Sequence, residues 1–168
     1  MREHEYETEI DTRLEGKLGF DRVRTFVADR CSTEYAVTRV TEERFSNDPK
    51  VIRERLALTD EMRLIVMFEE NFPTNGYIDC LDFLKPLEKT GYTIDILSLG
   101  KLRTMVETVR KLTNFFMSIK DGVYPNLKRM SAPVLSFPEV QRRIDQILDK
   151  FGDVKDTASD KLLEIRRA

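Results

Sequence analysis

Catalysis and metal binding need side chains that ionise, ligate or attack, and this sequence holds few of them in workable patterns. Its single histidine, His4, stands in a polar N-terminal run. Without a second histidine, neither a His-based zinc site nor a Ser/His pair can be assembled. The Glu-x-x-His element of helical di-iron sites is missing as well, because Met1 occupies the position three residues before His4. Cys31 and Cys80 are too few for a disulfide framework, and neither has a neighbouring base to generate a thiolate. Both fall in apolar-periodic segments and read as buried or half-buried free thiols of a reducing cytoplasm. Asp79 and Asp82 stand one helical turn apart beside Cys80, a spacing that suits capping or surface exposure better than a metal pair. The glycines at 16, 19, 76, 91, 100, 122 and 152 spell neither GxxxxGK[ST] nor GxGxxG, so no loop of backbone amides is built to cradle a phosphate. The chain is therefore expected to contribute no catalytic, cofactor-binding or metal-ligating residue of its own.

Charge points the same way. The 28 basic and 30 acidic residues leave a net charge of −2, which gives no global basic field to draw nucleic acid. Basic pairs recur at Lys101 with Arg103, Arg110-Lys111, Lys128-Arg129, Arg142-Arg143 and Arg166-Arg167. Most alternate with acids opposite the apolar positions, as on solvated helix faces. Charged residues make up 35% of the chain, above the usual quarter, which suits long amphipathic helices. No run of about 18 apolar residues predicts a membrane span, and the acidic opening MREHEYETEIDTRLEGK is no secretory signal.

The elements that would position any site read as helices throughout. Residues 1–16 are a weakly patterned extension, with Tyr6, Ile10 and Leu14 at a spacing of four. Phe20, Val23, Val27 and Cys31 form one stripe. Ser32 is placed to cap a second helix carrying Tyr35, Ala36 and Val40. Asp48-Pro49 is an N-cap followed by a first-turn proline, predicting a helix to about Glu70. After the breaker-rich loop Asn71–Tyr77, a short helix is expected over Ile78–Lys89, with Pro86 inside it. Gly91–Ile94 alone looks extended. The longest helix spans about Asp95–Lys120, where Leu102, Met105, Val109, Leu112, Phe116 and Ile119 step by 3, 4, 3, 4, 3, a short heptad seam. Thr108 falls off that seam and reads as an exposed position. Pro125–Met130 is another short helix. Ser136 and Glu139 have capping-box spacing ahead of a helix with Val140, Ile144, Ile147, Leu148 and Phe151 on its apolar side. Ser159 caps a last helix bearing Leu162 and Ile165. Ile165-Arg166-Arg167-Ala168 carries no glycine or proline stop, so this helix is expected to run on in a longer chain. The fold class is all-α, an irregular helical bundle of about six to eight helices around one long central helix.

Two stretches resemble a known family. One is Lys17-Leu18-Gly19-Phe20-Asp21-Arg22-Val23-Arg24. The more specific is Ile144-Asp145-Gln146-Ile147-Leu148-Asp149, followed by Gly152, Val154, Asp156, Ala158-Ser159, Leu162 and Ile165-Arg166. Both are similar to the N-terminal region of the Smr-containing, second branch of the MutS family. Tyr124-Pro125 and Phe137-Pro138 fall in the matching order between them. Over residues 17–168 the resemblance implies a helical core or lever domain, ending where a stalk helix begins. Residues 1–16 match no part of it.

What the resemblance implies is a non-catalytic helical scaffold of a larger ATPase, relaying ATP state to a DNA clamp. The parent would bind ATP and magnesium, form a homodimer through its ATPase domain, and carry an Smr nuclease domain. It would act on DNA, in suppression of recombination and mismatch-repair-like work, or on stalled ribosomes. The partners of this piece would be the clamp and ATPase domains of its own chain, in the cytoplasm and with no membrane. The residues alone also allow a free-standing helical module that docks a partner helix.

Overall fold

In the computed structural model, residues 13–167 are described, and they are all-α. No strand occurs among them, and the only bridge is an isolated antiparallel one between Leu148 and Val154. The extended stretch expected at Gly91–Ile94 forms no strand. His4 and the patterned positions Tyr6 and Ile10 lie outside the described residues. Contacts divide the chain into two compact units, Met1–Arg53 and Glu54–Ala168.

In the first unit, residues 13–18 are helical. Gly19, at φ 73°, turns the chain into helix α1, Phe20–Ala28. Helix α2, Glu34–Glu42, packs on α1. Its cap is Thr33 and not Ser32. Thr33 holds the extended backbone that an N-cap needs, and its hydroxyl accepts the Ala36 N–H at 3.2 Å. The Phe20 and Phe45 rings meet at 4.6 Å, and the Arg24 guanidinium covers the Phe20 ring at 5.0 Å while pairing with the buried Glu15 at 2.6 Å. The stripe of α1 is only half covered, and neither helix has a fully buried residue.

Helix α3, Pro49–Phe68, starts as its sequence requires, with Asp48 Oδ1 accepting the Lys50 N–H at 2.7 Å. The expected helix over Ile78–Lys89 is broken in two, α4 at Leu81–Leu84 and a 3-10 turn at Lys85–Glu88. Pro86 explains the break, because it has no N–H to give and its ring crowds the carbonyl of Asp82. Helix α5, Ile96–Ser118, is the longest, and its N-cap Asp95 accepts both the Ser98 amide at 2.9 Å and the Ser98 hydroxyl at 2.6 Å. Helices α6, Pro125–Ser131, and α7, Pro138–Ile147, both pack against α5. The Ser136–Glu139 capping box is not formed. Pro138 takes the first helical position, which makes apolar Phe137 the cap, and Glu139 pairs with Arg142 at 2.6 Å instead. A 3-10 turn at Asp156–Ala158 leads to α8, Asp160–Arg167, where Ser159 Oγ accepts the Leu162 N–H as expected.

The core of the second unit is Ile65 of α3, Phe115 and Phe116 of α5, and Tyr124 and Leu127 at α6, with Leu58, Met62, Phe72, Leu112 and Ile119 packed around them. The heptad seam of α5 is therefore correct in direction but too narrow. Leu102, Met105, Val109, Leu112 and Ile119 are half-buried, whereas Val106, Thr108, Phe115 and Phe116 are buried. At 100° per residue, Thr108 and Phe115 fall on one flank of the seam and Val106 on the other. Elements packing on α5 from more than one side cover an arc wider than a coiled-coil stripe. Phe151 departs in the other direction and is 78% exposed. The helical period ends at Ile147, so Phe151 leaves the apolar face and sits on a turn.

Thr108, expected to be exposed, is closed over by the 69–80 loop. Gly76 approaches so nearly that a Cβ there would stand 2.3 Å from Thr108 Oγ1, and its φ of +83° disfavours any other residue. The Thr108 hydroxyl is itself held by the Thr104 carbonyl at 2.9 Å. Gly76→Ala is expected to lower stability by about 2 kcal/mol through left-handed strain and overpacking. The double variant with Thr108→Ala should recover part of that loss in urea melts, and strictly additive losses would refute the contact.

Candidate functional site

The polar groups drawn together inside the second unit are carboxylates and the donors that consume them. Glu61 stands one turn before Ile65 on the inward face of α3 and is 8% exposed. Its Oε1 accepts from the Asn126 amide at 3.1 Å and from Asn126 Nδ2 at 2.6 Å, and its Oε2 accepts from the Leu127 amide at 2.8 Å. The two backbone amides belong to the first turn of α6, whose N–H groups the helix itself leaves without acceptors. Helix α6 has no side-chain cap of its own, so α3 supplies one from across the core. Tyr124, at the cap position, donates its hydroxyl to Glu69 Oε1 at 3.0 Å. Burial first, and then Glu69, push that phenol above the ordinary tyrosine range, so it is a neutral donor and not a base. Lys128 closes the other side of α6, donating to the Ile119 carbonyl at 2.7 Å and to Asp121 at 2.6 Å.

A second node joins α5 to the turn between α7 and α8. Arg103 donates from Nη1 to the Asp149 carbonyl at 2.6 Å, and its Nε lies 2.8 Å from Asp145 Oδ1, a charge contact more than an aligned hydrogen bond. Lys155 donates to the Asp145 carbonyl at 2.5 Å. The turn is closed by Asp149 N–H to the Asp153 carbonyl at 2.8 Å and Lys155 N–H to the Ile147 carbonyl at 2.9 Å. Asp149 Oδ1 accepts the Phe151 and Asp153 amides at 2.8 and 2.9 Å, and Gly152 carries the φ of +90° that the reversal needs.

In both nodes the carboxylates face hydrogen-bond or charge partners: backbone amides, the Asn126 side chain, the Tyr124 hydroxyl, the Lys128 amine and the Arg103 guanidinium. Cys80 is buried, with Sγ 3.6 Å from the Ile78 carbonyl, and burial, then Asp79, push its thiol up against a smaller opposing effect of Lys101. A thiol held protonated in this way is a poor nucleophile. Cys31 is half-buried in the first unit and donates to the Val27 carbonyl at 3.4 Å. Asp79 accepts the Leu81 amide at 3.2 Å from the residue before the cap position of α4, which is Cys80. Among the described residues, no group of three or more His, Cys, Asp and Glu converges as metal ligands, and no helix is long and apolar enough to cross a membrane.

The basic pairs divide. Lys111 with Glu107, Arg129 with Glu54 and Arg142 with Glu139 are surface pairs, as expected for solvated faces. Arg103 and Lys128 are instead half-buried and tie their helices to other elements, which the alternation of charges along the sequence did not disclose. An apolar surface is open along α3. Leu58, Thr59, Met62, Arg63, Val66 and Met67 line a shallow depression along α3, with Val66 and Met67 mostly exposed.

The ties predict how acid acts. Asp95, Asp121 and Asp149 are all held below the ordinary carboxylate range, chiefly by hydrogen bonds from Ser98, from Lys128 and from the Asp153 amide respectively. A carboxylate depressed on folding adds stability that is complete above its unfolded pKa, about 3.9, and is lost as pH falls through the lower folded value. Thermal melts are therefore expected to be insensitive to these groups above about pH 5 and to drop below about pH 4. Asp149→Asn keeps an oxygen for both amides but removes the charge, and should flatten the acid limb. An unchanged acid limb would contradict the assignment.

No family model matches the chain. Its sequence is 26% identical over 160 residues to the protein named endonuclease MutS2 from Listeria innocua, 27% over 160 residues to that of Listeria monocytogenes, and 24% over 151 residues to that of Geobacillus thermodenitrificans. These alignments take in 94%, 94% and 89% of this chain but only 20%, 20% and 19% of the relatives, so the chain spans about a fifth of the length of the curated relatives it matches. The similarity supports a relationship to the MutS family.

Proposed function

We propose that this chain is a non-catalytic helical scaffold within a larger MutS-type ATPase acting on DNA, and that it relays the state of bound ATP to a DNA clamp. In this reading residues 17–168 are the core or lever region of the Smr-containing branch, preceded by the extension 1–16 and ending at the start of a stalk helix. ATP, magnesium, the dimer contact and any nuclease centre belong to other parts of the parent, whose setting is the cytoplasm and whose target is DNA or, in a ribosome-acting relative, a stalled ribosome.

One observation carries the proposal. The motif that most resembles the family, Ile144 to Arg166, includes residues with definite mechanical tasks. Ile144 and Leu148 are buried anchors. Asp149 and Gly152 make the reversal, Val154 closes the bridge, Ser159 caps α8, and Asp156 pairs with Arg166. Residues spent on fixing a turn and the start of a helix suit a part that transmits displacement, since transmission needs packed elements with discrete arrangements.

The direct test is the reading frame downstream of codon 168, which is expected to reach a GxxxxGK[ST] motif. The isolated chain should turn over no ATP and bind duplex DNA no more tightly than the non-specific range of about 10⁻⁴–10⁻⁶ M at physiological salt. A stop codon close after Ala168 would overturn the proposal in favour of a free-standing module that docks a partner helix.

A further inference from the structure

We infer that Arg103 is the positioning residue that fixes the direction of α8, and that the turn 148–158 is a clamped joint and not a passive connector. Helix α8 packs against the 3-10 turn Asp156–Ala158, and that turn packs against α7. The direction of α8 is therefore inherited through the joint. At eight residues it is also too short to persist by its own propensity. The joint is rigid from within, through the Leu148–Val154 bridge and the two amides held by Asp149. A rigid turn still needs an outside reference, and Arg103 is the side chain that reaches it from the long helix. It donates to the joint at the Asp149 carbonyl and lies against the Asp145 carboxylate in the last turn of α7, where the joint begins. A planar guanidinium with donors on two edges can resist rotation as well as separation, which a single ammonium cannot. Lys155 adds a third tie, from the far arm of the turn back to the Asp145 carbonyl in α7. The Asp156–Arg166 pair then locks α8 to the end of the joint. This device belongs to the chain itself and holds whether or not the parent is an ATPase.

The test uses the full chain with Cys31 and Cys80 replaced by alanine and spin labels on exposed positions. One pair, Asn114→Cys with Glu164→Cys, reads α5 against α8. The other, Asn114→Cys with Gln146→Cys, reads α5 against α7. In the otherwise unsubstituted protein both pairs are expected to give one narrow distance peak. Arg103→Met should abolish the narrow α5–α8 peak and leave the α5–α7 peak intact, with Arg103→Lys recovering it only in part. If Arg103→Met does not fold, Lys155→Met is measured with the same pairs and should broaden the α5–α8 peak alone. Loss of both peaks would make Arg103 a general packing residue and overturn the inference. So would retention of both, or a broad α5–α8 distribution before any substitution.

Discussion

Phe116→Ala is expected to destabilise the second unit by about 3–5 kcal/mol, a large part of the roughly 5–15 kcal/mol that holds a domain of ordinary size together. Phe116 is buried at the centre of the cluster formed by Ile65, Phe115, Tyr124 and Leu127. Its ring stands edge-on to Phe115 at 5.2 Å and to Phe72 at 6.4 Å. Truncation removes the transfer energy of the ring, opens a cavity and strands both aromatic contacts at once. The cavity cannot collapse cheaply, because Ile65 is held by α3 and Leu127 by the cap that Glu61 provides. Leu112, on the same seam but half-buried, should cost less. Asn114→Ala, on the exposed side of the same helix, is the proper control and should change stability by about 0.5 kcal/mol or less. Thr108 would mislead as a control, because it is buried beneath Gly76. Similar small shifts for Phe116→Ala and Asn114→Ala in urea melts would place the ring outside the core.

What the sequence discloses, and what it hides, follows from the range of the interaction involved. Asp48-Pro49 and Ser159 were legible because an N-cap is a contact between residues two or three apart, and the chemistry of the cap is complete within that window. The all-α class was legible because the period of apolar residues survives any tertiary arrangement. Ser32 and Ser136 failed as caps by one residue each: Thr33 is as good a cap as Ser32 and only backbone geometry chooses between them, whereas Pro138 at the first helical position puts apolar Phe137 where Ser136 was expected. Pro86 and the end of α7 at Ile147 show the limits of periodicity. The apolar period runs on through Phe151, but the backbone leaves the helix before it arrives. Thr108 was misplaced because the 69–80 loop covers α5 from a side that the helix's own pattern does not mark. Arg103 and Lys128 looked like any other solvated cations, for their partners lie in other elements. A signal for Glu61 does exist in the sequence. It occupies position i+3 between Leu58 and Ile65 on the inward stripe of α3, and an acid on an apolar stripe calls for a donor across the core. Which donor it meets depends on where Pro125 starts α6, and no local pattern specifies that.

Glu61→Leu therefore makes the sharpest test of how the second unit is assembled. The substitution keeps the apolar bulk of the stripe but leaves the Asn126 and Leu127 amides without acceptors inside the core. Each unsatisfied buried donor costs about 1–3 kcal/mol, and Asn126 Nδ2 can turn to water, so the expected loss is about 2–5 kcal/mol. Part of that loss is the favourable placement of a negative charge at a helix N-terminus. Glu61→Gln separates the contributions. It retains one oxygen, removes the charge and turns an N–H toward a donor, and should fall between Glu61→Leu and the native protein. The neighbouring Asp60→Ala breaks only an exposed pair with Arg63 at 2.8 Å and should be nearly silent. Hydrogen exchange locates the effect. Amides of α6 from Asn126 to Lys128 should lose protection in Glu61→Leu before those of α5 do, since the cap acts on α6 alone. If Glu61→Leu were as mild as Asp60→Ala, or if protection fell uniformly across the unit, the carboxylate would be a bystander in a core held by Ile65 and the two phenylalanines.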